Sequence, residues 1–208
     1  NMGVISNGTT LLDAGALDSG VATGAMTLIK TLTASSSGTL SFVNGASSVV
    51  FDGTYKEYVF KYIDIHPGTD NVNFTFNLSV DSGSNYNVTK TTNFWEAYHN
   101  EGDTDTDLAT ADGRDLAQST DFQQLNGAGV QDENDGSISG TFTIYDPAST
   151  TFAKHFMSIS ESNAHNGSYA WNGFVSGYGN TTSAVNAIQF KMSSGNIDAG
   201  TIKMYGIK

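Results

Sequence analysis

The sequence predicts an all-β protein, an antiparallel β-sandwich of jelly-roll type that follows a glycine-rich N-terminal arm. Three observations predict it. Short runs with a period of two recur from Met26 onward, turn-forming clusters separate them, and the aromatic share is large, with 12 Phe and 9 Tyr. Large rings fit a pleated, half-buried surface. Many short strands with punctuated turns define a sandwich or barrel rather than an α/β fold. At 208 residues such a sandwich needs only one domain, so residues 26–208 are assigned to it and residues 1–25 to the arm.

Taken in order, the arm carries Gly3, Gly8, Gly15, Gly20 and Gly24 with the apolar pairs Val4-Ile5 and Leu11-Leu12, and it sustains no strand period. A segment of this kind buries little surface by itself and is expected to be a tail or to lie against a neighbouring subunit. Strands are then expected at 27–33 and 38–43. Residues 58–65 are almost continuously apolar apart from Lys61 and Asp64, which predicts a strand covered on both sides. Residues 71–80 alternate cleanly: Val72, Phe74, Phe76, Leu78 and Val80 point to the core, and Asn73, Thr75, Asn77 and Ser79 to water.

Further strands are expected at 93–99, 140–145, 152–160, 171–178, 184–192 and 201–207. Clusters such as His66-Pro67-Gly68, Asp81-Ser82-Gly83, Asp146-Pro147 and Ser193-Ser194-Gly195-Asn196 supply the turns. A short helix is plausible only within 109–124, where Gly113 limits it. Residues 101–135 are polar, acidic and weakly periodic, the mark of a long irregular insertion at an exposed end or edge.

Composition narrows the function. The net charge of −12, from 21 acidic and 9 basic residues, repels polyanions and argues against nucleic acid and anionic membranes as partners. Cysteine is absent, so disulfides, thiolate metal sites and thiol nucleophiles are excluded together. No apolar run reaches the length of a membrane helix, and no basic region followed by a hydrophobic stretch marks an export signal.

The chemical motifs are weak. Asp103, Asp105 and Asp107 form a D-x-D-x-D run able to converge on calcium, but Leu108 stands where an EF-hand loop needs Gly and Arg114 where it needs Glu. Asp132-Glu133-Asn134-Asp135-Gly136 offers more oxygen ligands or simply a turn. A solvated acidic loop is the favoured reading of both, with calcium the alternative. His66, His99, His155 and His165 show no metal-binding or catalytic spacing and are read as packed or surface residues. The G-x-S-x-G elbow and the phosphate-binding glycine loops are missing. Carboxylate pairs are too abundant to single out a glycosidase.

Trp95, Tyr98, Tyr169, Trp171 and Tyr178 lie in Asn- and Gly-rich surroundings. Exposed, the first four could stack on a glycan, but closure of the core or of a subunit contact is the favoured role for such rings. The sequons at Asn7 and Asn87 are expected by chance in so Asn- and Thr-rich a chain.

Three stretches, MGVISNGTTLLDAG from Met2, YKEYVFKYIDIHP from Tyr55 and FKMSSGNIDAGTIKMYGI from Phe190, resemble a group of virion structural proteins of marine tailed phages and cyanophages. They fall at the start, middle and end of the chain. The resemblance implies a component of a viral particle, of capsid-decoration or fibre type, and transfers no catalytic or binding residue. The expected protein is therefore non-enzymatic and without a cofactor, located on the virion surface and anchored by its arm through Val4, Ile5, Leu11 and Leu12. Its expected partners are further copies of itself, a trimer being one such assembly, and capsid or tail proteins. The alternative is a carbohydrate-binding receptor-recognition module of a tail fibre.

Overall fold

The computed structural model describes residues 4–6, 9–13, 16–17, 24–111, 113–164 and 168–208. Every regular element among them is a strand. Strands β1 (Val4–Ser6), β2 (Thr9–Asp13) and β3 (Ala16–Leu17) pair antiparallel in a small sheet of their own. Backbone pairing thus forms in the arm although no sustained strand period announces it.

The remaining strands are β4 (Met26–Thr33), β5 (Leu40–Val43), β6 (Glu57–Pro67), β7 (Phe74–Ser79), β8 (Lys90–Asn100), β9 (Thr106–Thr110), β10 (Gln123–Gln124), β11 (Ile138–Tyr145), β12 (Lys154–Ala164), β13 (Tyr169–Gly179), β14 (Ala187–Met192) and β15 (Ile197–Ile207). They make two antiparallel sheets, ordered β4-β15-β6-β11-β12-β13-β8-β9 and β10-β7-β14-β5. All ten strands expected from periodicity between residues 27 and 207 are present.

The two sheets pack face to face as a sandwich. Tyr58, Phe60, Tyr62, Phe142 and Phe156 of the large sheet meet Phe42, Phe74, Phe76 and Phe190 of the small one, all at most 1% exposed. Phe76 stands edge-on to Phe156 with ring centroids 5.1 Å apart, and Phe60 edge-on to Phe42 at 5.2 Å. Edge-to-face pairs add to the burial energy of such rings. Among the described residues no buried side-chain nitrogen or oxygen lacks a hydrogen-bond partner, as a stable interior requires.

Three expectations are overturned by tertiary packing. No helix forms within the described part of 109–124; β9 and β10 lie there instead. The polar face of β7 is not wet, because Thr75, Asn77 and Ser79 are buried. Asn77 gives its amide protons to the Tyr86 and Thr120 carbonyls at 2.7 and 2.9 Å, so two loops cover that face. Strand β6, in turn, is covered along one side, where Tyr58, Phe60 and Tyr62 are buried, but on the other only at Val59, since Lys61 and Ile63 there are exposed.

The acidic stretch 101–135 is only partly an exposed insertion. Its first part extends the large sheet as the edge strand β9. Its second part returns to the interior, with Gln123, Leu125, Asn126 and Val130 fully buried. Val130 exchanges backbone hydrogen bonds with Val72 at 2.8 and 3.1 Å, and Ser160 donates to the Leu125 carbonyl at 2.6 Å. The segment therefore ties one sheet to the other.

Candidate functional site

The large sheet buries one face and leaves the other open. Alternation along β12 puts Phe156, Ser158 and Ser160 inside and Met157, Ile159 and Glu161 outside, the period-two consequence of a pleated strand. The outer face departs from the polar surface that alternation normally gives an antiparallel sheet. Leu28, Ile63, Leu108, Tyr145, Met157 and Ile159 all lie on it exposed, Ile159 by 51% and Leu108 by 69%.

Register aligns these side chains in rows across the strands. One row runs Lys203, Lys61, Thr141, Ile159, Phe174, Trp95, from β15 to β8. The next runs Leu28, Tyr205, Val59, Thr143, Met157. Phe174 and Trp95 stack at 4.6 Å and 20°. Lys61 lies 5.9 Å from the centre of the Tyr205 ring, and neither Lys61 nor Lys203 is in an ion pair among the described residues.

The face becomes polar beyond Ile159. Depressions of about 560, 490 and 620 Å³ meet at Glu161, whose neighbours across the strands are Ser139 and Asn172. Partial desolvation raises the Glu161 carboxyl above its ordinary value, while the Asn172 side chain and the Trp171 backbone pull it back.

The four rings singled out for glycan contact divide between the two faces. Trp95 is on the outer face, beside Phe174. Tyr98, Tyr169 and Trp171 are on the inner one. Trp171 is buried, stacks on Tyr98 at 4.2 Å and donates from Nε1 to Glu96 Oε2 at 2.7 Å. Arg114 Nη1 donates to the same carboxylate oxygen, so Trp171 and Arg114 share one acid. Tyr169 donates its hydroxyl to Asp105 at 2.8 Å, and that bond raises its pKa. Tyr178, on the outer face, neighbours His155.

The acidic run does not gather. Asp103 accepts from His99 Nε2 at 3.0 Å, Asp105 from Tyr169, and Asp107 from the Leu108 N–H at 2.8 Å. Asp132 to Gly136 makes a turn closed by Gly136 N–H on the Glu133 carbonyl, and the Asp135 carbonyl accepts from Asn163. Among the described residues, the one convergent set is Asp70, Asp132 and Glu133, exposed and within 4.8 Å of one another. Sequence reading missed Asp70, because 62 positions separate it from Asp132 in the chain. Nothing beyond acidity marks the trio as a cation site.

Of the histidines, His66 sets Nδ1 2.7 Å from the Pro67 carbonyl and His155 is exposed on the outer face; His165 lies outside the described residues. In the arm, the backbone of Val4 pairs with Leu12 and that of Ile5 with Thr10, and Ile5 is exposed. Leu11 is in β2. Asn7 of the first sequon lies outside the described residues, and Asn87 is in the loop before β8.

No protein-family model matches this chain, no curated protein is similar to it, and no solved structure matches it. The fold and its open face define a β-sandwich with a broad, partly apolar sheet surface.

Proposed function

We propose that the chain is a non-enzymatic structural protein of a tailed-phage virion, displayed on the particle surface as a capsid-decoration or tail-fibre component and held there through residues 1–25. Kinship with jelly-roll virion proteins is part of the proposal. The observation that carries it is the open outer face of the large sheet. It is wide, shallow and apolar over several strands, which suits contact with another protein surface better than enclosure of a small molecule, whose sites are concave and bury most of the ligand. A separate N-terminal sheet, paired only within itself among the described strands, suits attachment by a small module. The three resembling stretches point the same way.

The glycan-binding alternative has less support. Only Trp95 of its four rings lies on the open face, and Trp171 is buried.

Cryo-electron microscopy of purified particles, with this chain located in the density, tests the reading. The expected result is sandwich density on the capsid lattice or on a fibre, with the N-terminal residues against the neighbouring protein. Protein lacking residues 1–25 is expected to fold and to fail to join particles. Particles devoid of the chain would overturn the virion role, and normal incorporation of the truncated protein would overturn the anchoring.

A further inference from the structure

The outer face of the large sheet is matched to itself. In the row Lys203, Lys61, Thr141, Ile159, Phe174, Trp95, two lysines stand at one end, two stacked rings at the other, and a threonine beside an isoleucine between them. A two-fold axis running along the strands between β11 and β12 exchanges β11 with β12, β6 with β13 and β15 with β8. It lays Lys61 over the Phe174 ring of a second copy and Lys203 over its Trp95, while Thr141 meets Ile159. In the adjoining row Thr143 meets Met157, and on the other side Ser139 meets Glu161. No charge faces a like charge in these pairs.

We propose that this face is the interface of a two-fold homodimer in which two large sheets pack aligned, outer face to outer face. Sheets packed in this way keep their strands within about 30° of each other, and an isologous contact needs a surface complementary to itself. Lys61 and Lys203, in no ion pair among the described residues, gain the ring faces of the second copy as cation–π partners. Six strands spaced about 4.8 Å apart span about 29 Å. With roughly eight residues along each, the footprint is about 750 Å², close to the roughly 800 Å² per partner of a stable interface. A nucleic acid or a polyanionic glycan would meet Glu161 and a net charge of −12.

The inference deepens the structural reading, yet its test uses the purified full chain in solution. It can fail while the virion assignment stands, and the reverse. Sedimentation at about 10 µM, above a Kd near 1 µM, is expected to report a weight-average mass approaching twice the 22.0 kDa of one chain. Ile159→Asp places a charge at the centre of the contact and is expected to weaken dimerisation at least about 30-fold, with an unchanged near-ultraviolet spectrum.

The natural chain lacks cysteine, so a crosslink reads geometry directly. Thr141→Cys protein mixed with Ile159→Cys protein is expected to form a disulfide-linked pair under mild oxidation, faster than either variant alone. A monomer at that concentration, a trimer, or a dimer indifferent to Ile159→Asp and to the mixed cysteines would overturn the proposal. A misfolded Ile159→Asp protein leaves the decision to the cysteine pair.

Discussion

Lys90 donates from Nζ to Asn77 Oδ1 at 2.6 Å, with both side chains fully buried. The ammonium also reaches the Val88 carbonyl at 2.8 Å. Burial pushes its pKa down to about 8, with Asp121 pulling the other way. A cation held in this way costs stability while it is charged.

That relationship gives a pH dependence of known sign. Between about 8 and the ordinary lysine value of 10.5, the folded state has lost the Lys90 proton that the unfolded state still holds, so the contribution of this group to stability rises with pH through the window. Lys154, lowered in the same direction by burial, adds to the slope. Above about 10 the trend reverses, because burial raises Tyr58 and Tyr62 and the unfolded state loses those protons first. Denaturant titrations are expected to show a rise on the order of 1–3 kcal/mol from pH 8 to 10, then a fall. Lys90→Met should flatten most of the rise.

Glu96 is the shared acceptor of Arg114 and the Trp171 indole. Arg114→Ala should cost about 2–4 kcal/mol, since a mostly buried carboxylate loses its cation. The Arg114→Ala, Glu96→Gln double variant should recover part of that loss, because the amide is neutral and still accepts from the indole. Urea titration followed by tryptophan fluorescence reads both; a double variant no more stable than Arg114→Ala would show that the charge is not the cause.

Gly140 sits where a side chain has no room. A Cβ there would lie 2.3 Å from the Ile159 carbonyl and 2.6 Å from the Tyr62 hydroxyl, which itself is 3.0 Å from Ser158 Oγ. Gly140→Ala is expected to lower stability by about 2 kcal/mol or more through displacement of the strand pair. Gly53, open on all sides, should tolerate alanine within about 0.5 kcal/mol.

Phe60 joins the large sheet to the small one through Phe42 and Phe190 and packs as well on Phe51 and Phe142. Phe60→Ala should destabilise the domain by about 3–5 kcal/mol, and Phe60→Leu by less, since leucine leaves a smaller cavity. Thermal denaturation of the two variants checks the order.

Much of this fold was legible in the chain. The alternation of Phe74, Phe76 and Leu78 put those residues in the core, where they are, and turn clusters such as Asp146-Pro147 separated strands that the structure contains. Burial of Thr75, Asn77 and Ser79 was not legible, because the loops that cover that face, at residues 86 and 120, lie outside the strand whose alternation carries the pattern. The same holds for the acidic stretch, whose polarity hid the buried Leu125 and Val130.

The candidate site was less legible than the fold. Four rings were singled out by type, yet strand parity and register decide which face each occupies, and they put Trp95 opposite in sense to Tyr98 and Trp171. Nor did any local pattern join Phe174 to Trp95 or Lys61 to Thr141, pairs that exist only through strand order.

By itself, the sequence determined the all-β class, ten of the twelve strands of the sandwich and the acidic, cysteine-free surface chemistry, because a period of two, turn chemistry and charge are local or additive properties. Only the tertiary structure decided which polar residues were buried, which rings remained open and which apolar side chains share the outer face. Those depend on which strands neighbour one another and in what register, and long-range pairing is a property of the whole chain.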